Sequence, residues 1–210
     1  MTHCLVPRRH VLALMSLCTL TLSWRARAAD DDDELLRLFS ELGTRRERQA
    51  RFTERKFSAL LKAPVESSGT LVFRAPDVLE KRTVEPQRES VRIEGNVVTY
   101  EGAPLGGSVQ KRTFTLSDAP LLAALIESLR ATLAGDLPAL RRHYDVSWSA
   151  LQSPKGWQLA LAPREQALRE AVAKVVMRGA GSEVSTVEII EASGDSTLMQ
   201  ITPLVVPTKK

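Results

Sequence analysis

Along much of the chain apolar side chains recur at every second position in short runs, and this alternation limits the chain to a sheet with one buried face. Leu71 and Phe73, Val91 and Ile93, Phe114 and Leu116, and Trp157, Leu159 and Leu161 each stand among polar or small neighbours. Turn chemistry separates the runs: Glu94-Gly95-Asn96, Gly106-Gly107, Ser153-Pro154-Lys155-Gly156, Gly179-Ala180-Gly181 and Ser193-Gly194-Asp195. The strand candidates are 51–61, 67–74, 78–84, 89–95, 97–101, 108–116, 144–150, 157–162, 172–178, 184–192 and 196–202. About ten of these are expected to form, one proving wrong. Links this short favour an antiparallel meander.

Two segments carry the other period. From Asp33 to about Arg48, Leu35, Leu38, Phe39 and Leu42 fall on one helical face, with acids from Asp30 to Glu34 leading and Arg45, Arg46 and Arg48 trailing. That order suits both ends of the helix dipole, which is also the reading of the acidic cluster preferred over a metal site. The second helix covers 119–134, with Asp118 as its cap, Pro120 in its first turn and Gly135 at its end. Leu121, Leu125, Leu129 and Leu133 form one apolar line on it and Leu122, Ile126 and Leu129 another, leaving Glu127, Ser128, Arg130 and Thr132 as the wet side. A face this broad calls for a broad partner. A short helical turn, Asp136–His143, follows, and Pro120, Gly135 and Pro138 mark hinges for the segment.

The N-terminus has the pattern of a cleavable signal peptide covering 1–28: basic Arg8 and Arg9, an apolar run Val11–Leu22, and Ala26-Arg27-Ala28 before a cut preceding Ala29. The run is too short for a membrane-spanning helix. Arg8-Arg9 also fits the twin-arginine route, so the choice of exporter stays open. Cys18 is a poor lipidation site, because bulky Leu17 stands where a small residue is needed. Export to the periplasm removes four arginines, and the 29 basic residues of the full chain fall to 25 against 25 acidic. Residues 29–210 then read as one domain, with no cysteine and His143 as the single histidine. No zinc site, cofactor or nucleic-acid surface is expected of such a chain.

One stretch invites a catalytic reading. His143-Tyr-Asp145-Val-Ser147-Trp-Ser149 gathers triad residue types, but closeness in sequence does not assemble a triad, and no Gly-x-Ser-x-Gly elbow is present. The plain alternative puts Tyr144, Val146 and Trp148 in the core and the polar residues in water.

The order of elements resembles the LolA family of periplasmic lipoprotein carriers. The landmarks are Phe52-Thr-Glu54, Gly69-Thr-Leu71, Pro76, Pro86 and the Gly95-Asn96 turn, and they fall between about 35 and 101. The resemblance implies a mainly β (α+β) fold: an unclosed antiparallel barrel of about ten or eleven strands with a helical lid over an apolar cavity. It implies a non-enzymatic, monomeric carrier for the acyl chains of lipoproteins or other lipids, passing cargo from an inner-membrane exporter to an outer-membrane acceptor. The side chains expected to line cavity and lid are Leu71, Phe73, Leu79, Val91, Ile93, Phe114, Leu121, Leu125, Ile126, Leu129 and Trp157. Pro76 and Pro86 would restrain edge pairing where the barrel stays open. The departures are Ala75 in place of an arginine that helps hold the family's lid, Leu79 and Lys81 in place of aromatics, and Glu54 in place of glutamine. Arg74 does not replace the missing arginine, since it points to the other face. The competing readings are an envelope scaffold that adds a partner strand to an open sheet edge, and an acyl hydrolase.

Overall fold

The structure is a computed structural model that describes residues 22–103, 107–152 and 155–204, with side chains described from Asp32. The expected signal-peptide residues up to Thr21, and the turn residues Gly106 and Ser153-Pro154, lie outside the described residues. All eleven strand candidates form: β1 Glu47–Phe57, β2 Val65–Arg74, β3 Val78–Glu85, β4 Glu89–Glu94, β5 Val97–Gly102, β6 Gln110–Thr115, β7 Tyr144–Ala150, β8 Gly156–Pro163, β9 Val172–Ala180, β10 Glu183–Glu191 and β11 Ser196–Pro203. The expectation that one would fail was too cautious. They make one antiparallel sheet in the order β6-β5-β4-β3-β2-β1-β11-β10-β9-β8-β7. Two local meanders, β1 to β6 and β7 to β11, are thus joined by a single non-local ladder in which Phe52 faces Ile201 and Glu54 faces Met199.

The sheet is not closed, and β6 and β7 are its edges. This corrects the role given to the prolines. Pro76 and Pro86 lie in the links flanking β3, an inner strand, each after a cis peptide bond. Strand β1 also starts and stops earlier than the 51–61 expected. Its ladder with β11 ends at Phe57 opposite Ser196, so Leu60, although apolar, has no strand to pair with and is 94% exposed.

The first helix, α1, runs Leu22–Gly43 and buries Leu35, Leu38, Phe39 and Leu42 as its periodicity requires. It begins well before Asp33, so the acidic cluster lies within it and not in its first turn. No basic residue occupies its last turn either. Arg48, already in β1, reaches back instead: its guanidinium donates to the Leu42 carbonyl at the end of α1 and to the Ser182 carbonyl between β9 and β10. Burial lowers the pKa of this arginine, opposed by the charge of Glu183.

Helix α2 spans Pro120–Ala134, with proline in its first turn and Gly135 ending it at φ 75°. Ala119, not Asp118, is its N-cap. Asp118 closes the preceding 3-10 turn Leu116–Asp118, accepting from the Thr115 amide at 3.1 Å and hydroxyl at 2.7 Å. Those bonds lower its pKa. Two residues assigned to the wet side of α2, Ser128 and Thr132, are buried. Each hydroxyl donates to a carbonyl one turn earlier, Ser128 to Leu125 at 2.7 Å and Thr132 to Ser128 at 2.8 Å, so the helix satisfies its own polar groups. Helix α3, Leu137–His143, starts at Asp136, whose carboxylate accepts from the Ala139 amide at 2.9 Å. A short α4, Gln166–Ala171, precedes β9. At six residues it is too brief for a periodic signal.

Gly135 is not a free hinge. A Cβ there would stand 2.3 Å from the Phe39 carbonyl oxygen and 2.9 Å from Gly43, because the C-terminal ends of α1 and α2 touch backbone to backbone. Gly135→Ala therefore meets both left-handed strain and a collision with main chain. The variant is expected to lose about 2–4 kcal/mol in urea unfolding; a change within about 0.5 kcal/mol would show that the two helices are not packed this way.

Candidate functional site

Strand alternation assigns one face of the sheet to the helices, and the ladders place its side chains in rows. Phe73, Leu79, Ile93 and Val98 are successive partners across β2 to β5 and are all buried. The next row is Leu71, Lys81, Val91, Tyr100 and Arg112. A third row runs the length of the opposite meander and across the seam: Trp148, Leu159, Met177, Val187, Met199, then Glu54. Leu159 and Met177 are fully buried. Around the seam the apolar side chains are only half-buried: Leu71 and Val91 on one side, Val187, Ile189, Met199 and Ile201 on the other. Leu122, Leu125, Ile126 and Leu129 of α2 are half-buried too, packed against the same core. The space between sheet and lid is thus filled at one end and lined by accessible hydrocarbon at the other.

The expected lining residues separate along that division. Phe73, Leu79 and Ile93 belong to the packed end. Leu71, Val91, Leu125, Ile126 and Leu129 border the accessible part. Phe114 lies opposite Val98 on edge strand β6 and is 37% exposed, and Leu121 is 41% exposed. Trp157 is buried among neighbours: Gly179 leaves room for its ring, and its indole nitrogen donates to the Gly181 carbonyl at 2.8 Å. Sequence reasoning did not place Val187, Ile189, Met199 and Ile201 in the lining. Their alternation was visible in the 184–192 and 196–202 candidates, but only the β1–β11 ladder brings them beside Phe52 and Glu54.

The landmark residues account for one another. Phe52 lies opposite Gly69, and a Cβ on Gly69 would stand 2.9 Å from the Phe52 ring and 1.9 Å from the Arg82 carbonyl oxygen. The glycine makes room for the phenyl ring. Over the same ring stands Lys81, its ammonium 4.9 Å from the centroid and 2.8 and 2.9 Å from the two carboxylate oxygens of Glu54. The two replaced positions Glu54 and Lys81 are therefore one ion pair on the floor of the accessible part. Ser67 also donates to Glu54, at 3.3 Å.

The lid has its own anchor. Ala75 packs at the core's edge, and Arg130 of α2 supplies the guanidinium, donating to the Asp77 carbonyl in the β2–β3 link. Burial lowers the pKa of Arg130, against the upward pull of Asp77 and Glu127. Arg74 faces the other way, 3.1 Å from Glu47. At the far side of α2, His143 stands between two carboxylates, Nε2 3.0 Å from Glu127 and Nδ1 2.8 Å from Glu165, joining α2 to the start of α4. The Glu54 and Arg130 contacts hold floor and lid in place by direct charge-assisted bonds.

Triad geometry does not form in 143–149. His143 is held by Glu127 and Glu165, Asp145 by Arg164 at 2.7 Å, and the Ser147 hydroxyl donates to the Ala160 carbonyl at 3.3 Å. Tyr144 is fully buried and its phenol pKa is raised by that burial, with Ser128 pulling it down. Trp148 points the same way, and its indole nitrogen is buried without a partner among the described residues. A groove of about 690 Å³ also runs beside α2 and α3, lined by Ala124, Ala131, Ala139, Arg130 and His143. None of the expected acyl-facing residues borders it.

No curated protein matches the chain. Among solved structures it is similar to the LolA superfamily protein NE2245 from Nitrosomonas europaea, at 12% identity over 81% of this chain and 90% of that one, TM-score 0.40. An outer membrane lipoprotein-sorting protein domain from Vibrio parahaemolyticus is similar at 11% identity over 83% and 92%, TM-score 0.40. The Pseudomonas aeruginosa MucA/MucB complex matches at 14% identity over 86% of this chain and 59% of that one, TM-score 0.40. The family model described as outer membrane lipoprotein carrier protein LolA-like matches residues 25–204, which takes in α1 from Arg25 onward and the whole sheet. The chain belongs to that LolA-like family.

Proposed function

We propose that the protein is a periplasmic carrier that takes the acyl chains of a lipoprotein, or of another lipid-like molecule, into the bowl beneath α2. One observation carries this reading: Leu71, Val91, Val187, Ile189, Met199 and Ile201 of the sheet and Leu122, Leu125, Ile126 and Leu129 of α2 are all only half-buried, and most of them border the same core. A hydrocarbon guest would remove both layers from water at once. Each methylene buried contributes about 0.8 kcal/mol, so a dozen supply roughly 10 kcal/mol before the cost of association, enough to hold a chain and still release it.

The route follows from the same reading. A cut before Ala29 falls inside α1 and would leave Asp30–Glu34 in the first turn of the shortened helix, where the dipole favours acids. The exported monomer would load from an inner-membrane exporter and unload to an outer-membrane acceptor. Arg130 would govern the exchange, since its bond to the Asp77 carbonyl is the direct tie between lid and β2–β3 link. The exposed edge strand β6, with Val109 beside it 68% exposed, favours a second and separate role, addition of a partner strand.

Leu125→Glu and Leu129→Glu are each expected to abolish binding of a fluorescent fatty acid while circular dichroism stays that of the parent chain. Unaltered binding in both folded variants removes the lid from the site. Arg130→Met is expected to speed release of the bound probe several-fold in stopped-flow chase, with a smaller change in folding stability; an unchanged release rate would mean that α2 does not gate the bowl.

A further inference from the structure

The floor of the bowl is not uniformly apolar, and the exception has a sign. Hydrocarbon laid across the Glu54–Lys81 pair would strip water from two charges, which attraction between them does not fully offset. An acyl chain following the row Val187–Met199 must therefore end, or present a polar group, where the row reaches Glu54. The acids on this face are already served. Glu54 accepts from Lys81 and from Ser67, and Glu89, one row further, accepts from Thr83 at 3.3 Å and from Tyr100 at 3.5 Å. Of the cations, Arg48 is bonded to two carbonyls and Lys56 pairs with Glu191 at 3.7 Å, whereas the two in the Lys81 row keep donor capacity. Two of the three Lys81 donors face the Glu54 oxygens, leaving one, and the Lys81 side chain is the more open partner, 32% exposed against 19%. Arg112 stands in the same row as Lys81, bonded to neutral Gln110 at 2.9 Å.

We infer that the bowl selects an acyl chain that ends in an anionic group, carboxylate or phosphate, with Lys81 as the headgroup contact and the seam residues Met199, Val187 and Ile201 under the hydrocarbon. The inference rests on the carrier reading and narrows it from any acyl chain to an anionic amphiphile. Glu54 is then a positioning residue: it pins the ammonium over the Phe52 ring. When the headgroup enters, the free ammonium donor turns to it without breaking the pair.

The test is competition for a neutral, uncharged fluorescent acyl probe by four ligands of equal chain length, below their micelle concentrations: dodecanoate, dodecyl phosphate, dodecanol and dodecyltrimethylammonium. The parent protein is expected to bind one or both anions roughly tenfold more tightly than dodecanol, as a charge-assisted bond would give. Preference for the phosphate assigns a phosphorylated headgroup, and preference for the carboxylate a fatty acid. In Glu54→Gln/Lys81→Leu, which removes both charges together, the anion preference is expected to vanish and dodecanol to bind more tightly. Dodecanol equal to the anions in the parent protein, tighter binding of the cation, or an anion preference kept by the double variant overturns the inference. The ligand series on the parent protein decides even where the variant does not fold. If no ligand displaces the probe and the probe itself does not bind, the carrier reading fails; if all bind alike, only the anionic selection fails.

Discussion

The pairing of β1 with β11 is the contact on which the rest depends. Each meander, β1 to β6 and β7 to β11, can form from neighbouring strands alone, but neither encloses anything. The seam makes them one surface and sets Phe52 beside Ile201 and Glu54 beside Met199. Its partners come from opposite ends of the chain, so the ladder bears the loop-closure entropy that local hairpins avoid. No ladder joins β6 to β7; the chain leaves the first edge, passes through α2 and α3, and returns at the second. The opening is thus fixed by connectivity, because the segment that would have to close it is the segment that forms the lid.

The polar groups buried on α2 do not depend on where the helix sits against the sheet. Ser128 and Thr132 bond to the backbone of α2 itself, so their burial demands nothing of the sheet. Arg130 and His143 are the opposite kind, tying α2 outward to the β2–β3 link and to α4. Between these ties lie leucines that are only half-buried, which contribute less to closure than a packed core would. The packed end under Phe73, Leu79, Ile93 and Val98 supplies the stability that the accessible end gives up.

Most of the sheet was legible in the sequence because one-sided burial imposes a period of two whatever the strand's neighbours. Every candidate strand formed, Gly95 marked the β4–β5 turn, and Pro120, Gly135 and Asp136 marked helix ends through local chemistry alone. What could not be read was anything decided by non-local pairing. The end of β1 followed β11, the edges fell at β6 and β7 and not at the prolines, and the seam residues came beside Phe52 and Glu54 only when the two meanders met. Polarity misled on α2, since a serine or threonine that bonds its own helix looks like a wet-side residue in sequence and behaves as a core residue in the fold. The acidic run misled differently: α1 continues upstream through Leu22, so Asp30–Glu34 do not stand at its start in the full chain.

The departures from the family pattern are better understood as exchanges than as losses. Ala75 alone reads as a missing lid anchor, yet the lid is anchored, with the guanidinium moved to Arg130 on the helix and the acceptor to the Asp77 carbonyl. Glu54 and Lys81 alone read as two charges placed where a lipid site wants amide and aromatic surface, yet together they form a bonded pair seated on Phe52. A single charge on that floor would stay unpaired when hydrocarbon covered it, at a cost of several kcal/mol. A pair keeps the floor neutral while leaving one cationic donor exposed. The two exchanges differ in consequence: moving an anchor across an interface preserves what the anchor does, whereas placing an ion pair among apolar side chains changes which molecules can lie upon it.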